Sequence, residues 1–341
     1  MSSDIPATVP NPGTNVAEVE EGQGFFSSPA THVGLVSIKD GSHQISFELH
    51  GNVDASKRMV FVMGKSTFDS GFKGTFALWQ PFVDHFITKN ANEHSILLID
   101  NRGVGESTAG NFAPYSTSKM ARDVIQVLDH VGWTAEHSVH VVGVSMGGMI
   151  SQELVLAIPD RIATLTLICS CAKFKSPTKS FSSMIAMFVA MINPPSTTEG
   201  RIQSVSTRLF SEDWLVAHDP NHPKFKTNYD RFFSKMFPIL TKTPTPKLQA
   251  VLGQGLACLT HYVSPARLET IGKSIGKVTI VVGTGDLLID PQCSYDLAKN
   301  IPGSELIACE GCGHGLIEDS EAVLIGILER NFDYIPCGSK E

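Results

Sequence analysis

From residue 59 onward two patterns take turns along the chain. Short runs in which nearly every position is apolar are followed by longer stretches in which apolar positions return every three or four residues. The runs at 60–62, 96–99, 139–142, 278–282 and 306–308 have strand length and are rich in Val, Ile and Leu, as strands covered on both faces are. The stretches 76–88, 118–130, 148–158, 293–299 and 320–332 have helical spacing and predict helices. Strand and helix in alternation is the pattern of a mostly parallel sheet flanked by helices, an α/β fold. Ahead of it, the alternating segments 33–36 and 45–49, joined by Lys39-Asp40-Gly41-Ser42, predict a hairpin that opens the sheet.

The alternation fails in two places. Residues 1–25 are rich in Pro, Gly, Ser and Glu without an apolar period, which predicts a flexible leader dispensable for chemistry. Between 173 and 275, Met, Pro and aromatic residues replace the strand signals, which predicts a helical insertion separating two core segments, 26–172 and 276–335. Within the insertion Phe181, Met184, Ile185, Phe188, Met191 and Ile192 form one broad apolar face. Such a face packs on the core, lines an acyl pocket or touches lipid; in the second reading Met184 and Phe188 are pocket residues.

Candidate chemistry sits where strand-like runs end. Val139-His140-Val141-Val142 leads into Gly143-Val144-Ser145-Met146-Gly147, a serine between glycines at a strand-to-helix turn, the pattern of a nucleophile elbow. A serine hydroxyl needs a base, and the base needs an orienting acid. The run 278–282 delivers Gly283-Thr284-Gly285-Asp286, and 306–308 leads to Gly311-Cys312-Gly313-His314-Gly315, which nominates Asp286 as the acid and His314 as the base. Asp290 is the rival acid, disfavoured because it lies further from the strand end. Taken singly, each motif is also readable as a plain tight turn.

On these three motifs and their order Ser, Asp, His, the chain is identified as a member of the α/β-hydrolase superfamily over about 33–332. Two further stretches support the resemblance. Asp100-Asn101-Arg102-Gly103-Val104-Gly105-Glu106-Ser107 resembles the family's D-x-R-G-x-G-x-S loop, which implies a scaffold role for Asp100 and Arg102. Met63-Gly64-Lys65 aligns with the family's His-Gly-x segment, which implies that the backbone N–H groups of Lys65 and Met146 form an oxyanion hole, with Gly64 beside the substrate. Met63 stands where histidine is usual; a backbone donor survives that change.

The resemblance implies an eight-stranded sheet, an inserted helical lid over 173–275, and a serine esterase or lipase-like hydrolase using Ser145, His314 and Asp286 on a carboxylic ester, lactone or thioester with an apolar acyl group. It implies no metal and no organic cofactor. Ser145 disfavours dehalogenase and epoxide hydrolase chemistry, whose family members carry aspartate there. Peptidases, enol-lactonases, haloperoxidase-like esterases and acyltransferases share the serine arrangement, and some plant hormone receptors keep it with slow turnover, so these alternatives stay open.

Composition narrows the partners. The 341 residues are 42% hydrophobic and 18% charged, enough for a substantial core. A formal net charge of −7 and the lack of a basic stripe argue against nucleic acid. No apolar run reaches bilayer length and residues 1–24 lack signal-peptide character, so a cytoplasmic protein acting on a small molecule is expected, with lipid contact only through the lid and the oligomeric state open. The seven cysteines predict reduced thiols. Cys309-x-x-Cys312-x-His314 invites a metal reading, disfavoured because no second cysteine pair at zinc spacing exists and the histidine is better used as a base; a Cys309–Cys312 redox pair stays open beside ordinary loop cysteines. His218, His222 and His261 read as surface or packed residues.

Overall fold

A computed structural model describes residues 27, 29–64, 75–110, 114–175, 195–241 and 248–334. Its centre is one sheet of eight strands. They are β1 (His32–Ser37), β2 (Gln44–Gly51), β3 (Lys57–Val62), β4 (His94–Ile99), β5 (Val139–Val144), β6 (Ile162–Ile168), β7 (Lys277–Gly283) and β8 (Glu305–Cys309). The spatial order is β1-β2-β4-β3-β5-β6-β7-β8. β1 and β2 form the expected antiparallel hairpin, with Val33 opposite Glu48, and β2 pairs antiparallel with β4. All other neighbours are parallel. The chain leaves β4 on one side of β3 and returns as β5 on the other, so a topological switch point lies at the carboxyl ends of β3 and β5.

The period of two along each strand divides the core. Val60, Val62, Leu97, Ile99, Val141, Leu165, Leu167 and Ile280 point to one face, where they meet the helices α2 (Thr117–His130), α3 (Met146–Ala157), α8 (Pro265–Ser274) and α9 (Gln292–Asn300). Met59, Phe61, Ile96, Leu98, Val142, Ile168 and Val281 point to the other, under α1 (Gln80–Asn90), α10 (Leu316–Asp319) and α11 (Glu321–Phe332). Burying both faces explains why these strands read as continuous apolar runs. Local signals fix the helix starts. Ser116 accepts the Lys119 N–H and opens α2 one residue before the predicted start. A 3-10 turn at Thr75–Trp79 precedes α1, which begins with Pro81 in its first turn.

Between β6 and β7 the described residues form α4 (Thr198–Leu209), α5 (Glu212–Val216), α6 (Asn228–Thr241) and α7 (Leu248–Thr260), followed by α8. Residues from α4 to α6 have a core of their own, built on Ile202, Phe210, Phe232 and Met236. Ala257, Val263, Leu268 and Ile271 instead join the core beneath the sheet. The leader and the apolar face 181–192, with Met184 and Phe188, lie outside the described residues. Among the described residues no helix is long and apolar enough to cross a membrane.

Candidate active site

The turn from β5 into α3 is built for a side chain that would not otherwise fit. Ser145 has φ 56° and ψ −121°, a left-handed backbone that costs a non-glycine residue on the order of 1–3 kcal/mol. Four hydrogen bonds hold it there, one of them from Met149 N to the Ser145 carbonyl at 3.2 Å. Its N–H donates to Ile168 O at 2.8 Å, and its carbonyl accepts from Gly148 N at 3.0 Å and from Ser170 Oγ at 2.9 Å. The flanking glycines are steric necessities, since a Cβ on Gly143 would collide with Ser151 Oγ and one on Gly147 with the Val62 carbonyl. Gly64, just past β3, is equally confined: its Cβ would stand 2.9 Å from Ser145 Cβ and 3.0 Å from Val144 O. Val144 and Met146 are buried while Ser145 is only half-buried. Met146 is the first residue of α3, where a backbone N–H has no acceptor within the helix.

Two and three strands away, past the ends of β7 and β8, Asp286 and His314 meet. His314 Nδ1 donates to Asp286 Oδ2 at 2.6 Å, with both side chains buried. Asp286 Oδ1 accepts the Leu288 N–H at 2.7 Å and the Ile289 N–H at 3.0 Å, which fixes the carboxylate plane. With Nδ1 committed as donor, Nε2 is the imidazole's accepting nitrogen. The rival acid is engaged elsewhere, since Asp290 Oδ1 accepts the Gln292 N–H at 3.0 Å where α9 begins.

The loops carrying the pair are stitched together, with Thr284 N donating to Cys309 O at 3.1 Å and Gly285 N to Cys312 O at 2.9 Å. The histidine loop is also anchored from outside. Gly313 N donates to Asp319 Oδ2 at 3.1 Å, and Gly315 N donates to Leu209 O at 2.9 Å. The Phe210 ring fills the space a Gly315 Cβ would need. From α6, Lys235 pairs with the Glu318 carboxylate and Arg231 Nη2 donates to Glu318 O at 3.3 Å. Burial pushes the Asp319 carboxyl up to about 6.

Other residues singled out in the sequence have structural settings. Arg102 grips Asp123 through Nε and Nη2, each at 2.7 Å, and lies over the Tyr115 ring. Ser107 Oγ donates to Asp100 O at 2.8 Å. His261 is buried, hydrogen-bonded to Thr117 Oγ1 at 2.9 Å, and its pKa is lowered by burial to about 4. His222 lies against Asp219, and His218 Nδ1 lies 3.0 Å from Phe225 O. Lys65 falls outside the described residues.

Cys169 carries no local signal in the sequence. It follows β6 with φ 45°, is buried, and donates its N–H to Val281 O at 2.9 Å. Its Sγ, a carboxylate oxygen of Asp286 and a ring nitrogen of His314 all lie within 4.8 Å of one another, whereas Cys309 and Cys312 join no such group among the described residues. Burial, then the neighbouring Asp286, pushes the Cys169 thiol well up.

Comparison with known proteins agrees with this architecture. The profile of the α/β hydrolase fold matches residues 70–321. The chain belongs to the α/β-hydrolase fold family. A RutD protein of Variovorax paradoxus, named as a candidate carbamate hydrolase, is 33% identical over 129 residues, 38% of this chain and 43% of that one. Its namesake in Caulobacter vibrioides (strain NA1000) is 25% identical over 298 residues, 86% of this chain and 97% of that protein. Among solved structures, a hydrolase from Pseudomonas aeruginosa PA01 superposes with a TM-score of 0.66 at 17% identity, covering 89% of this chain and all of the other. At that identity the likeness speaks for the fold alone.

Proposed function

We propose that this family member is a serine hydrolase of carboxylic esters, lactones or thioesters with an apolar acyl group. Ser145 attacks the carbonyl, His314 Nε2 takes the serine proton and returns it to the leaving group, and water then releases the acyl-enzyme by the same route. Asp286 holds the tautomer and offsets the charge of the imidazolium. The observation that carries the reading is the buried 2.6 Å contact of His314 Nδ1 with a carboxylate whose second oxygen is pinned by two backbone N–H groups. Such a ring can do little except present Nε2, and the half-buried Ser145 stands at the switch point where ligands bind in open sheets.

In this reading the Met146 N–H, at the first turn of α3, and the Lys65 N–H receive the oxyanion, each donor contributing about 3 kcal/mol to the transition state. Gly64 keeps the space above Ser145 clear, and within the expected insertion 173–275 the helices α4 to α6, which have a core of their own, act as the lid, with Met184 and Phe188 on the acyl side. The steps use side chains and water, without metal or organic cofactor, on a small molecule in the cytoplasm.

A carbamate substrate is the second reading, favoured by the naming of the RutD relatives. Its carbonyl meets the same nucleophile and oxyanion donors, but nitrogen conjugation makes it less electrophilic, and with the same phenoxide leaving group the intermediate is a carbamoyl-enzyme in place of an acyl-enzyme. Fluorophosphonate labelling, followed by turnover of p-nitrophenyl esters and of matched carbamates, tests both. Labelling and ester turnover that vanish in Ser145→Ala support the ester reading. Faster carbamate than ester turnover shifts the substrate class, and an unlabelled wild type overturns the serine mechanism.

A further inference from the structure

We infer that Cys169, Asp286 and His314 form an inhibitory site for a thiophilic divalent cation such as Zn²⁺. The three come from the carboxyl ends of β6, β7 and β8, neighbouring strands, and none is close to another in sequence. Their ligand atoms, one thiol sulfur, one carboxylate oxygen and one imidazole nitrogen, already lie within 4.8 Å of one another, and all three residues are buried. Bond lengths of about 2.0 Å to nitrogen or oxygen and 2.3 Å to sulfur put tetrahedral ligands roughly 3.3–3.6 Å apart. Closing the difference takes a movement of about 1 Å, which falls to the Cys169 and His314 side chains because two backbone N–H groups hold the Asp286 carboxylate. A sulfur, nitrogen and oxygen donor set suits zinc or cadmium and is poor for magnesium or calcium.

Proton and charge balance explain both the binding and its consequence. Cys169 releases its thiol proton to solvent. The proton that His314 Nδ1 shares with Asp286 moves to Nε2, freeing the Nδ1 lone pair for the cation. A dication then faces one thiolate, one carboxylate and one neutral imidazole, so the buried group is neutral. It also relieves the two causes that hold the thiol protonated, burial without a counter-ion and the nearby carboxylate. With the proton on Nε2, the imidazole can no longer accept one from Ser145. The cation is therefore an inhibitor that acts by inverting the tautomer, and Cys169, which has no part in the reaction, makes the enzyme sensitive to it.

The activity readout rests on the proposed hydrolase reading, so a second readout is independent of it. ZnCl₂ is titrated against p-nitrophenyl ester turnover of the full chain, and CdCl₂ against the ultraviolet cadmium–thiolate charge-transfer band, in wild type, Cys169→Ser and Cys312→Ser. Wild type and Cys312→Ser are expected to be inhibited with one equivalent bound and restored by EDTA. Cys169→Ser should keep basal turnover and lose sensitivity by at least about tenfold, the lower end of what even an outer-shell substitution costs a metal site. Equal inhibition of Cys169→Ser, or an active wild type that zinc leaves untouched, overturns the proposal. If the wild type shows no turnover, the hydrolase reading falls, and a Cys169-dependent cadmium band alone decides for or against the cation. Should Cys169→Ser fail to fold, a zinc-soaked crystal of the wild type decides, by an anomalous peak among the three side chains or its absence there.

Discussion

The ends of β5 and β6 are alike in backbone and unlike in everything else. Ser145 and Cys169 each follow a central parallel strand, and each takes a positive φ, 56° and 45°. Each is tied by its N–H to the next strand over, at Ile168 O and Val281 O. Ser145 nevertheless stands half-exposed, with glycines that cannot bear a side chain two positions away on each side, at the first turn of a helix. Cys169 runs directly into irregular chain and is sealed under the loops of β7 and β8. Strain in a strand-end turn is thus no mark of chemistry by itself. What separates the two turns is access and the unpaired N–H groups of a helix start.

The largest expected effect separates the turns by activity. Ser145→Ala should lower kcat roughly 10⁴–10⁶-fold while Cys169→Ala leaves it near wild type, measured as p-nitrophenyl ester turnover. A comparable loss in both variants would erase the distinction. Next comes the glycine that makes the β5 turn possible. Gly147→Ala forces a methyl into the Val62 carbonyl and should destabilise by about 3 kcal/mol, seen as a fall in the urea midpoint. An alanine at exposed Gly41, where the left-handed φ is the only constraint, should cost less.

The third effect concerns the loop that seals Cys169. Asp319, held at about 6 against an ordinary 3.8, keeps its proton more tightly when folded. Its burial therefore costs nothing below about pH 4, and stability falls as pH rises from about 4 to 6 and is level above, by at most about 3 kcal/mol. Asp319→Asn should remove that slope, and urea unfolding of both chains at pH 4, 5, 6 and 7 reads it. A parallel pair of curves would refute the assignment. The smallest effect tests the tie between the two turns: Ser170→Ala removes the donor to Ser145 O and should cost about 1 kcal/mol in urea unfolding.

Much of this was legible in the chain because the signals are local. Buried parallel strands are apolar at most positions, and the turn after β5 needs glycine two positions to either side of Ser145, so both leave marks in a few consecutive residues. The match of the family profile over 70–321 bears out the fold read from them. The preference for Asp286 over Asp290 rested on distance from the strand end; in the structure Asp286 contacts His314 and Asp290 accepts the Gln292 N–H. Cys169 was not legible, because a buried cysteine looks like a small hydrophobe and its neighbours lie 117 and 145 positions away, as the residue numbers themselves give. Asp319 was hidden for the same reason. Its carboxyl is perturbed by burial, which tertiary packing creates.

The bond from Gly315 N to Leu209 O and the grip of Lys235 on Glu318 join the histidine loop to the helices inserted after β6. Those helices are therefore not mechanically independent of the loop that carries His314: any displacement of α4 or α6 must either break these bonds or drag the loop along, so the two regions form one coupled unit.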